Sequence, residues 1–235
     1  SIAQQSEGDL WLGTWGEGLL RLNPTNNQVE TLQITAQNSR QNVWKVLKDS
    51  KNRLWAGIIC DGLVLMDANG RVIRHFQYDE TQPKKSLAEN QCVWTIYEDR
   101  NQQIWIGMSS QILAYQERDS TFSHYNAKAN YPQSLSNGDV LVFYHDSQNR
   151  FWIGTNGGGL NLMDRAAGTF KHYRQKDGLA GNIVTGILED DQQQLWISTN
   201  KGLSKFDPKS EKFTNYNQSH GLQSEVFSRG AYYRD

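Results

Sequence analysis

Short runs of apolar and aromatic residues, each about five residues long, alternate with polar turns along the chain. In segment 93–125 the runs VWTIYED, IWIGM, ILAYQ and TFSHY are separated by polar residues that include RNQQ and ERDS. β-Branched and aromatic residues dominate these runs, and VWTIYED alternates as a strand does. No segment shows a sustained helical apolar stripe with capping residues. The pattern therefore predicts an all-β protein without long helices.

A tryptophan motif occurs five times, and its copies read DLWLG, RLWAG, QIWIG, RFWIG and QLWIS. Their tryptophans, separated by 44, 50, 47 and 44 residues, are Trp11, Trp55, Trp105, Trp152 and Trp196. A period in the forties is typical of a circular or stacked array of supersecondary units. With four short strands in each period, the sequence predicts a β-propeller built of four-stranded antiparallel blades.

The predicted blades divide a single propeller region, 1–235, at regular intervals. They cover residues 2–34, 42–79, 92–126, 139–174 and 183–217. Residues 226–235 are predicted to form the inner strand of a following blade. This additional strand favours an arc of a larger ring over five blades that close by themselves.

The motif tryptophans are predicted to fill the joints between blades, because one blade cannot bury both of its faces and an indole supplies a large apolar area. An aspartate stands six residues before four of them, and these acids are Asp49, Asp99, Asp146 and Asp190. We predict that each acid closes a tight hairpin turn through hydrogen bonds to its own backbone. Both sets of residues are thus assigned to structure.

The segment Gly157–Gly159 looks at first like a phosphate-binding loop. A phosphate cradle requires a helix N-terminus after the loop, whereas the strand-like run LNLMD follows here. Glycines at this position, and those two residues after the motif tryptophans, are predicted to allow positive φ and close approach between blades.

The block L-x-x-N-x-V-x-x-I-x-x-D-x-x-x-x-x-W-I-G-T-x-x-G-G-L resembles the two-component regulator propeller repeat. It appears here as LSNGDVLVFYHDSQNRFWIGTNGGGL (135–160) and LAGNIVTGILEDDQQQLWISTNKGL (179–203). The resemblance implies a periplasmic sensor region followed by a transmembrane helix and a histidine kinase or diguanylate cyclase output. It also implies about seven blades in a complete ring. Segment 108–113, MSSQIL, lacks the expected Gly-Gly-Leu, which predicts a distorted corner in the third blade.

Charge and length exclude some classes of partner. The 235 residues carry a formal net charge of −1 with both signs interspersed, so we expect no nucleic-acid partner. No apolar run approaches the roughly 18 residues that span a bilayer, and we expect no direct membrane contact by this region. Because Ser1 rather than Met opens the chain, we expect a piece of a longer protein.

Loops before the first strands and loops after the tryptophan motifs should gather on one face, where propellers commonly bind ligands. Residues that vary between copies there are the predicted contacts of a small-molecule or oligosaccharide ligand: Trp15, Glu17, Asp61, Ser109, Ser110, Gln111, Asn156, Asn200 and Lys201. Trp15 is the sharpest candidate, because no repeat rule requires tryptophan at that position. It is either a platform for a sugar ring or a contact between blades.

Neither a metal nor a cofactor is predicted. His75, His124 and His172 share one repeat position in the fourth strand of separate blades, which keeps them from converging on an ion. Cys60 and Cys92 match no zinc spacing and are too few for a disulfide scaffold. Two interpretations of the cysteines stay open: free thiols in or near strands, or a pair that forms under oxidising conditions.

Three functions compete at this stage. The first is a ligand-sensing module, the second a passive scaffold for a homodimer or partner protein, and the third a carbohydrate-active enzyme. Glycoside hydrolysis requires two carboxylates about 5–9.5 Å apart in a pocket. The turn aspartates, with Glu98 and Glu189 beside two of them, are predicted to lie opposite the converging loops. The sequence therefore favours sensing and predicts no catalysis by this region.

Overall fold

The computed structural model describes residues 1–4, 8–35, 42–88, 92–136 and 138–232. Within these ranges the chain forms five four-stranded antiparallel sheets, each with its strands in sequence order. The first sheet consists of β1 (Ile2–Gln4), β2 (Leu10–Gly13), β3 (Leu19–Asn23) and β4 (Gln28–Leu32). The second consists of β5 (Val43–Lys48), β6 (Leu54–Ile58), β7 (Gly62–Met66) and β8 (Val72–Phe76).

The other three sheets repeat this arrangement. The third contains β9 (Thr95–Glu98), β10 (Ile104–Met108), β11 (Gln111–Gln116) and β12 (Thr121–Asn126). The fourth contains β13 (Val140–His145), β14 (Phe151–Thr155), β15 (Leu160–Asp164) and β16 (Thr169–Tyr173). The fifth contains β17 (Val184–Glu189), β18 (Leu195–Thr199), β19 (Gly202–Asp207) and β20 (Lys212–Tyr216). The helical segments of the described ranges are two short 3₁₀ turns, Gln175–Asp177 and Gln218–His220. The predicted all-β class and the four-stranded blades are confirmed.

In the segment 226–235, predicted to be the inner strand of a following blade, residues 226–232 form no strand in this structure and residues 233–235 lie outside the described ranges. A strand requires a partner to pair with, and the fifth sheet already has its four strands. The tail instead lies along that sheet. Gly202 donates its backbone N–H to the Glu225 carbonyl at 2.7 Å, and the Tyr232 ring packs against Gly186, 2.5 Å from where a Cβ would stand.

The chain divides into two compact units, one of residues 1–109 with 113–124 and the other of residues 110–112 with 125–235. In the first unit Trp11 packs with Val43 and Val46 of the second sheet. Trp55 packs in the same way with Val93, just before β9, and with Ile96 of β9 in the third sheet. The motif tryptophans here fill the space between consecutive sheets.

The second unit repeats this packing between its fourth and fifth sheets. Trp152 shares a buried cluster with Val184, Ile187 and Phe206. Trp105 is also buried, whereas Trp196 of the last sheet is half-buried and stacks on Tyr216 at 5.5 Å. Burying an indole removes some 150–250 Å² of largely apolar surface from water, worth about 4–6 kcal/mol before the ordering entropy is subtracted.

In two copies of the motif, the glycine two residues after the tryptophan permits these contacts. A Cβ on Gly57 would stand 2.6 Å from Val93 Cγ1, and one on Gly154 would stand 2.5 Å from Val184 Cγ1. Val184 belongs to β17, the first strand of the next sheet, and Val93 lies two residues before β9, the first strand of the third sheet. At Gly159, φ is +82°, a value that L side chains rarely adopt. The glycines therefore serve the turn and the close packing of sheets.

The turn aspartates hold both the hairpin and the tryptophan. Each indole Nε1 donates to Oδ2 of the aspartate six residues earlier: Trp55 to Asp49 at 2.9 Å, Trp105 to Asp99 at 2.9 Å, Trp152 to Asp146 at 2.8 Å and Trp196 to Asp190 at 2.9 Å. The other carboxylate oxygen accepts backbone N–H groups within the turn, as at Asp146, which accepts from Gln148 and Arg150. The indole contact explains why the spacing is six residues.

The recurrent histidines bind backbone carbonyls. Nε2 of His75 donates to the Asp61 carbonyl at 2.7 Å, and Nε2 of His172 donates to the Ser134 carbonyl at 2.8 Å. His124 is hydrogen-bonded to the backbone of Pro83. These side chains fasten connecting segments to the outer strands.

Candidate functional site

Three tryptophans outside the repeated motif lie side by side in the first compact unit, and we call them the tryptophan strip: Trp15, Trp44 and Trp94. The ring centroids of Trp15 and Trp44 are 6.1 Å apart with an interplanar angle of 77°. Those of Trp44 and Trp94 are 5.9 Å apart at 90°. The chain has eight tryptophans, so every one that is not in the motif belongs to this strip.

The strip is built from three different sheets. Trp15 stands in the turn between β2 and β3, Trp44 is the second residue of β5, and Trp94 comes just before β9. Val43 and Val93 precede two of these indoles and are buried between sheets. Because successive residues of an extended chain point to opposite sides, the indoles that follow the valines turn away from the buried clusters. Trp15 is 72% exposed, which is unusual for so large an apolar side chain.

Two further contacts hold Trp94 in place. Its indole Nε1 donates to Ser109 Oγ at 3.1 Å, and its backbone N–H donates to the Gly107 carbonyl at 2.8 Å. Ser109, a residue predicted to contact ligand, thus lies beside the strip. The exposed Glu17 shares the β2–β3 turn with Trp15.

Cys60 and Cys92 form a disulfide with a Cα–Cα distance of 4.5 Å, so their interpretation as free thiols is wrong. Cys60 lies in the turn between β6 and β7, where its φ is +55°. Cys92 is two residues before Trp94. The bond therefore joins the second sheet to the segment that carries one indole of the strip.

The remaining predicted contacts are engaged in local structure. Asp61 accepts from Gln77 Nε2 at 2.8 Å. Asn156 donates to Asp139 Oδ2 at 3.2 Å, and Asn200 Oδ1 accepts the Ile183 backbone N–H at 3.3 Å. The two asparagines thus fasten the end of a second strand to the segment before a first strand.

Three further candidates occupy different positions. Lys201 is exposed, and its backbone N–H donates to Thr199 Oγ1 at 3.0 Å. Ser110 takes a φ of +54° in the two-residue turn before β11 and accepts the Gly138 N–H at 3.2 Å. Gln111 is 4% exposed because the short turn carries it inside, where it donates to Asn126.

Trp15 and Ser109 therefore lie at opposite ends of a row of contacts that runs through Trp44 and Trp94. Sequence reasoning missed these two tryptophans. A signal for them was available, since NVWKV and CVWTI carry a tryptophan where the fourth and fifth sheets have Leu141 and Thr185. Period-two alternation after a buried valine directs that side chain to the opposite face of the strand.

The acids near the hairpin turns are bonded to neighbouring turns. Glu98 accepts from the Ser50 N–H and hydroxyl at 2.7 and 2.6 Å, and Glu189 accepts from the same two groups of Ser147, both at 2.8 Å. Each carboxylate thus joins the end of a first strand to the turn of the preceding sheet. Among the described residues, no group of three or more His, Cys, Asp or Glu side chains could hold a metal ion.

Four-stranded blades with tryptophans packed between them define a β-propeller repeat protein. Segments 86–110, 134–157 and 178–201 match the model of the two component regulator propeller. Three segments of the chain are therefore similar to this propeller repeat.

A curated relative, histidine kinase P4 from Formosa agariphila, is 26% identical over 97% of the chain. The extracellular domain of a putative hybrid two component system from B. thetaiotaomicron superimposes with a TM-score of 0.76, at 25% identity over 95% of the chain. A protein of unknown function from Bacteroides caccae shares the fold alone, with a TM-score of 0.58 and 8% identity over 88% of this chain and 71% of its own. The chain spans only 20% of the histidine kinase and 28% of the extracellular domain. In the described ranges, the structure contains no helix with the length and apolar character needed to cross a membrane.

Proposed function

We propose that this chain is an extracytoplasmic ligand-sensing propeller of a membrane-bound two-component signalling protein. Its ligand, a small molecule or an oligosaccharide, lies on the tryptophan strip. Binding is passed to a cytoplasmic kinase or cyclase output that lies elsewhere in the parent protein.

The exposure of Trp15 carries the proposal. An indole left 72% exposed keeps apolar area in water, whereas the five motif indoles are packed between or against sheets. Exposed apolar patches mark interaction sites, and here the exposed Trp15 adjoins the half-buried Trp44, which adjoins the half-buried Trp94. Indole faces stack on the apolar faces of sugar rings and other flat ligands. Glu17 and Ser109 supply nearby hydrogen-bonding groups. A few polar groups beside an apolar platform are the usual composition of a ligand site.

The disulfide supports a location outside the cytoplasm. Disulfides form and persist in oxidising compartments and are rare in cytosolic proteins, where thiols are kept reduced. The relative from B. thetaiotaomicron is described as an extracellular domain. These two observations support our proposal that this region lies in the periplasm.

We also propose that the region has no catalytic activity of its own. The carboxylates of Asp49, Asp99, Asp146, Glu98 and Glu189 each accept hydrogen bonds that hold a hairpin turn or its tryptophan. General acid–base chemistry requires a carboxyl group that can reach a substrate. Acids committed to turns do not meet this requirement.

Tryptophan fluorescence and thermal shift, run against a panel of oligosaccharides and small molecules, test the proposal. A ligand of the strip should change the tryptophan emission and raise the unfolding temperature. At a ligand concentration of 100 times Kd, the free energy of unfolding should increase by about 2.7 kcal/mol. Trp15→Ala should abolish both effects. The matched control is Tyr131→Ala, which removes an exposed aromatic side chain outside the strip.

Two results would contradict the proposal. One is a ligand that binds Trp15→Ala as tightly as the unaltered chain. The other is a protein that responds to no compound of the panel and runs as a stable dimer, which would favour the scaffold function.

A further inference from the structure

A cavity of ≈530 Å³ lies beside the first strands of the first two sheets. Its walls come from β1, from β5 and from the hairpin turn that follows β5, with Glu98 at one end. Every lining residue belongs to the first compact unit. The cavity does not include any residue of the tryptophan strip.

Lys45, in the middle of this wall, is half-buried. Its ammonium has no hydrogen-bond or ion-pair partner among the described residues. Burial lowers the pKa of Lys45 below the ordinary value for lysine, because it disfavours the charged form. Burying a cation that lacks a counter-charge costs folding free energy.

The fold does not require a lysine at this position. In the ladder with the second strand, Lys45 stands opposite Gly57, and the same register position holds Thr95, Val142 and Gly186 in the other sheets. A hydroxyl, an aliphatic side chain and a bare backbone therefore all satisfy the packing. The charge of Lys45 needs an explanation outside the repeat.

The acids that line the same cavity are already bonded elsewhere. Asp49 is 3% exposed and accepts from Arg53 and from the Trp55 indole. Glu98 accepts from Ser50 through both of its oxygens. The acids of the cavity wall are therefore committed to other partners, and none of them neutralises Lys45.

We propose that this cavity is an oxyanion-binding site, in which Lys45 supplies the counter-charge for a carboxylate, sulfate or phosphate group of a ligand. The volume accommodates a small molecule that carries the group as well as the group itself. The site is separate from the tryptophan strip, so it stands whether or not the strip binds ligand.

The test follows the Lys45 side chain by NMR in the ¹³C-lysine-labelled chain, with its Cε resonance assigned from the Lys45→Met variant. Inorganic sulfate and acetate are titrated separately at constant ionic strength, and acetamide serves as the neutral counterpart of acetate. At least one oxyanion should shift the resonance saturably and raise the pKa of Lys45, whereas acetamide should do neither. Sulfate and acetate together distinguish a sulfate- or phosphate-type ligand from a carboxylate.

Calorimetry with the anion that binds supplies the second measurement. Lys45→Met keeps the aliphatic length without the charge and should weaken binding about tenfold or more, as expected when a charged hydrogen bond is lost. Lys176→Met removes an exposed lysine outside the cavity and should leave the affinity unchanged. Equal shifts with acetate and acetamide, no saturable shift with either anion, or full affinity in Lys45→Met would overturn the proposal.

Discussion

The indole Nε1 of Trp152 donates a 2.8 Å hydrogen bond to Oδ2 of Asp146, a carboxylate that is fully buried. The same side chain accepts from the backbone N–H groups of Gln148 and Arg150 and forms an ion pair with the Arg150 guanidinium. One carboxylate therefore closes the hairpin and orients the ring that fills the space between two sheets.

Asp146→Ala should destabilise the chain by about 3 kcal/mol or more, because it leaves a buried indole N–H, two turn N–H groups and a partly buried guanidinium without their acceptor. Urea unfolding at neutral pH measures the loss. Asp164→Ala is the matched control in the same sheet, since Asp164 is exposed and accepts only from turn N–H groups. A loss for Asp146→Ala no larger than that of the control would contradict the role given to the buried carboxylate.

Gly154→Ala should cost about 1–3 kcal/mol, the usual range for overpacking, because a Cβ there would stand 2.5 Å from Cγ1 of both Val142 and Val184. The penalty should shrink when Val184→Ala removes one of these methyl groups. A double-mutant cycle by chemical denaturation checks this coupling. Strict additivity of the two substitutions would show that contact between the sheets is not the cause.

Reduction of the Cys60–Cys92 disulfide should lower stability by about 3–4 kcal/mol on the chain-entropy estimate, because the bond closes a loop across a sequence separation of 32. Thermal unfolding with and without reductant measures the difference. The Cys60→Ser/Cys92→Ser variant should match the reduced chain and show no response to reductant. An unaltered chain whose unfolding temperature ignores the reductant would contradict the prediction.

Stability should fall as the pH drops below about 6.5. Burial lowers the pKa of His124 and of His172 from 6.5, more than their backbone hydrogen bonds raise it. Below that pH the unfolded chain binds protons that the folded chain does not, so the stability present above pH 6.5 is lost progressively toward the folded pKa values. Each histidine contributes a slope of at most about 1.4 kcal/mol per pH unit.

Denaturation curves at about pH 7.5 and about pH 5.5, one value above and one below pH 6.5, measure this effect. His124→Gln/His172→Gln should reduce the difference between them. His220→Gln, which removes an exposed histidine, should not. An unchanged difference in the double variant would assign the pH dependence to other groups.

Much of the architecture was predictable from local pattern. The period of the tryptophan motif and the alternation within VWTIYED depend on residues close in sequence, and they predicted four-stranded blades with indoles between them. The aspartate six residues before four of the motif tryptophans was recognised as a turn residue for the same reason. The hydrogen bond that this aspartate accepts from the indole was not predicted, because that contact crosses the hairpin.

The candidate site was only partly predictable. Local pattern singles out Trp15 because it departs from the repeat within its own turn, whereas Trp44 and Trp94 stand within strand-like runs. Gln111 was chosen by its loop position, and the short turn after β10 placed it inside. The segment 226–232 has a strand-like composition, but a strand forms only where a neighbouring edge is free to pair with it.

The sequence by itself determined the repeat, because hydrophobic periodicity and turn chemistry act over a few residues and each copy carries them in full. Tertiary structure decided which side chains from different sheets meet: the three strip indoles, the two cysteines, and the lysine that faces a cavity without an acid to neutralise it. These contacts depend on how successive sheets pack. That packing is set by residues about 30 to 50 positions apart in the sequence, which no local pattern encodes.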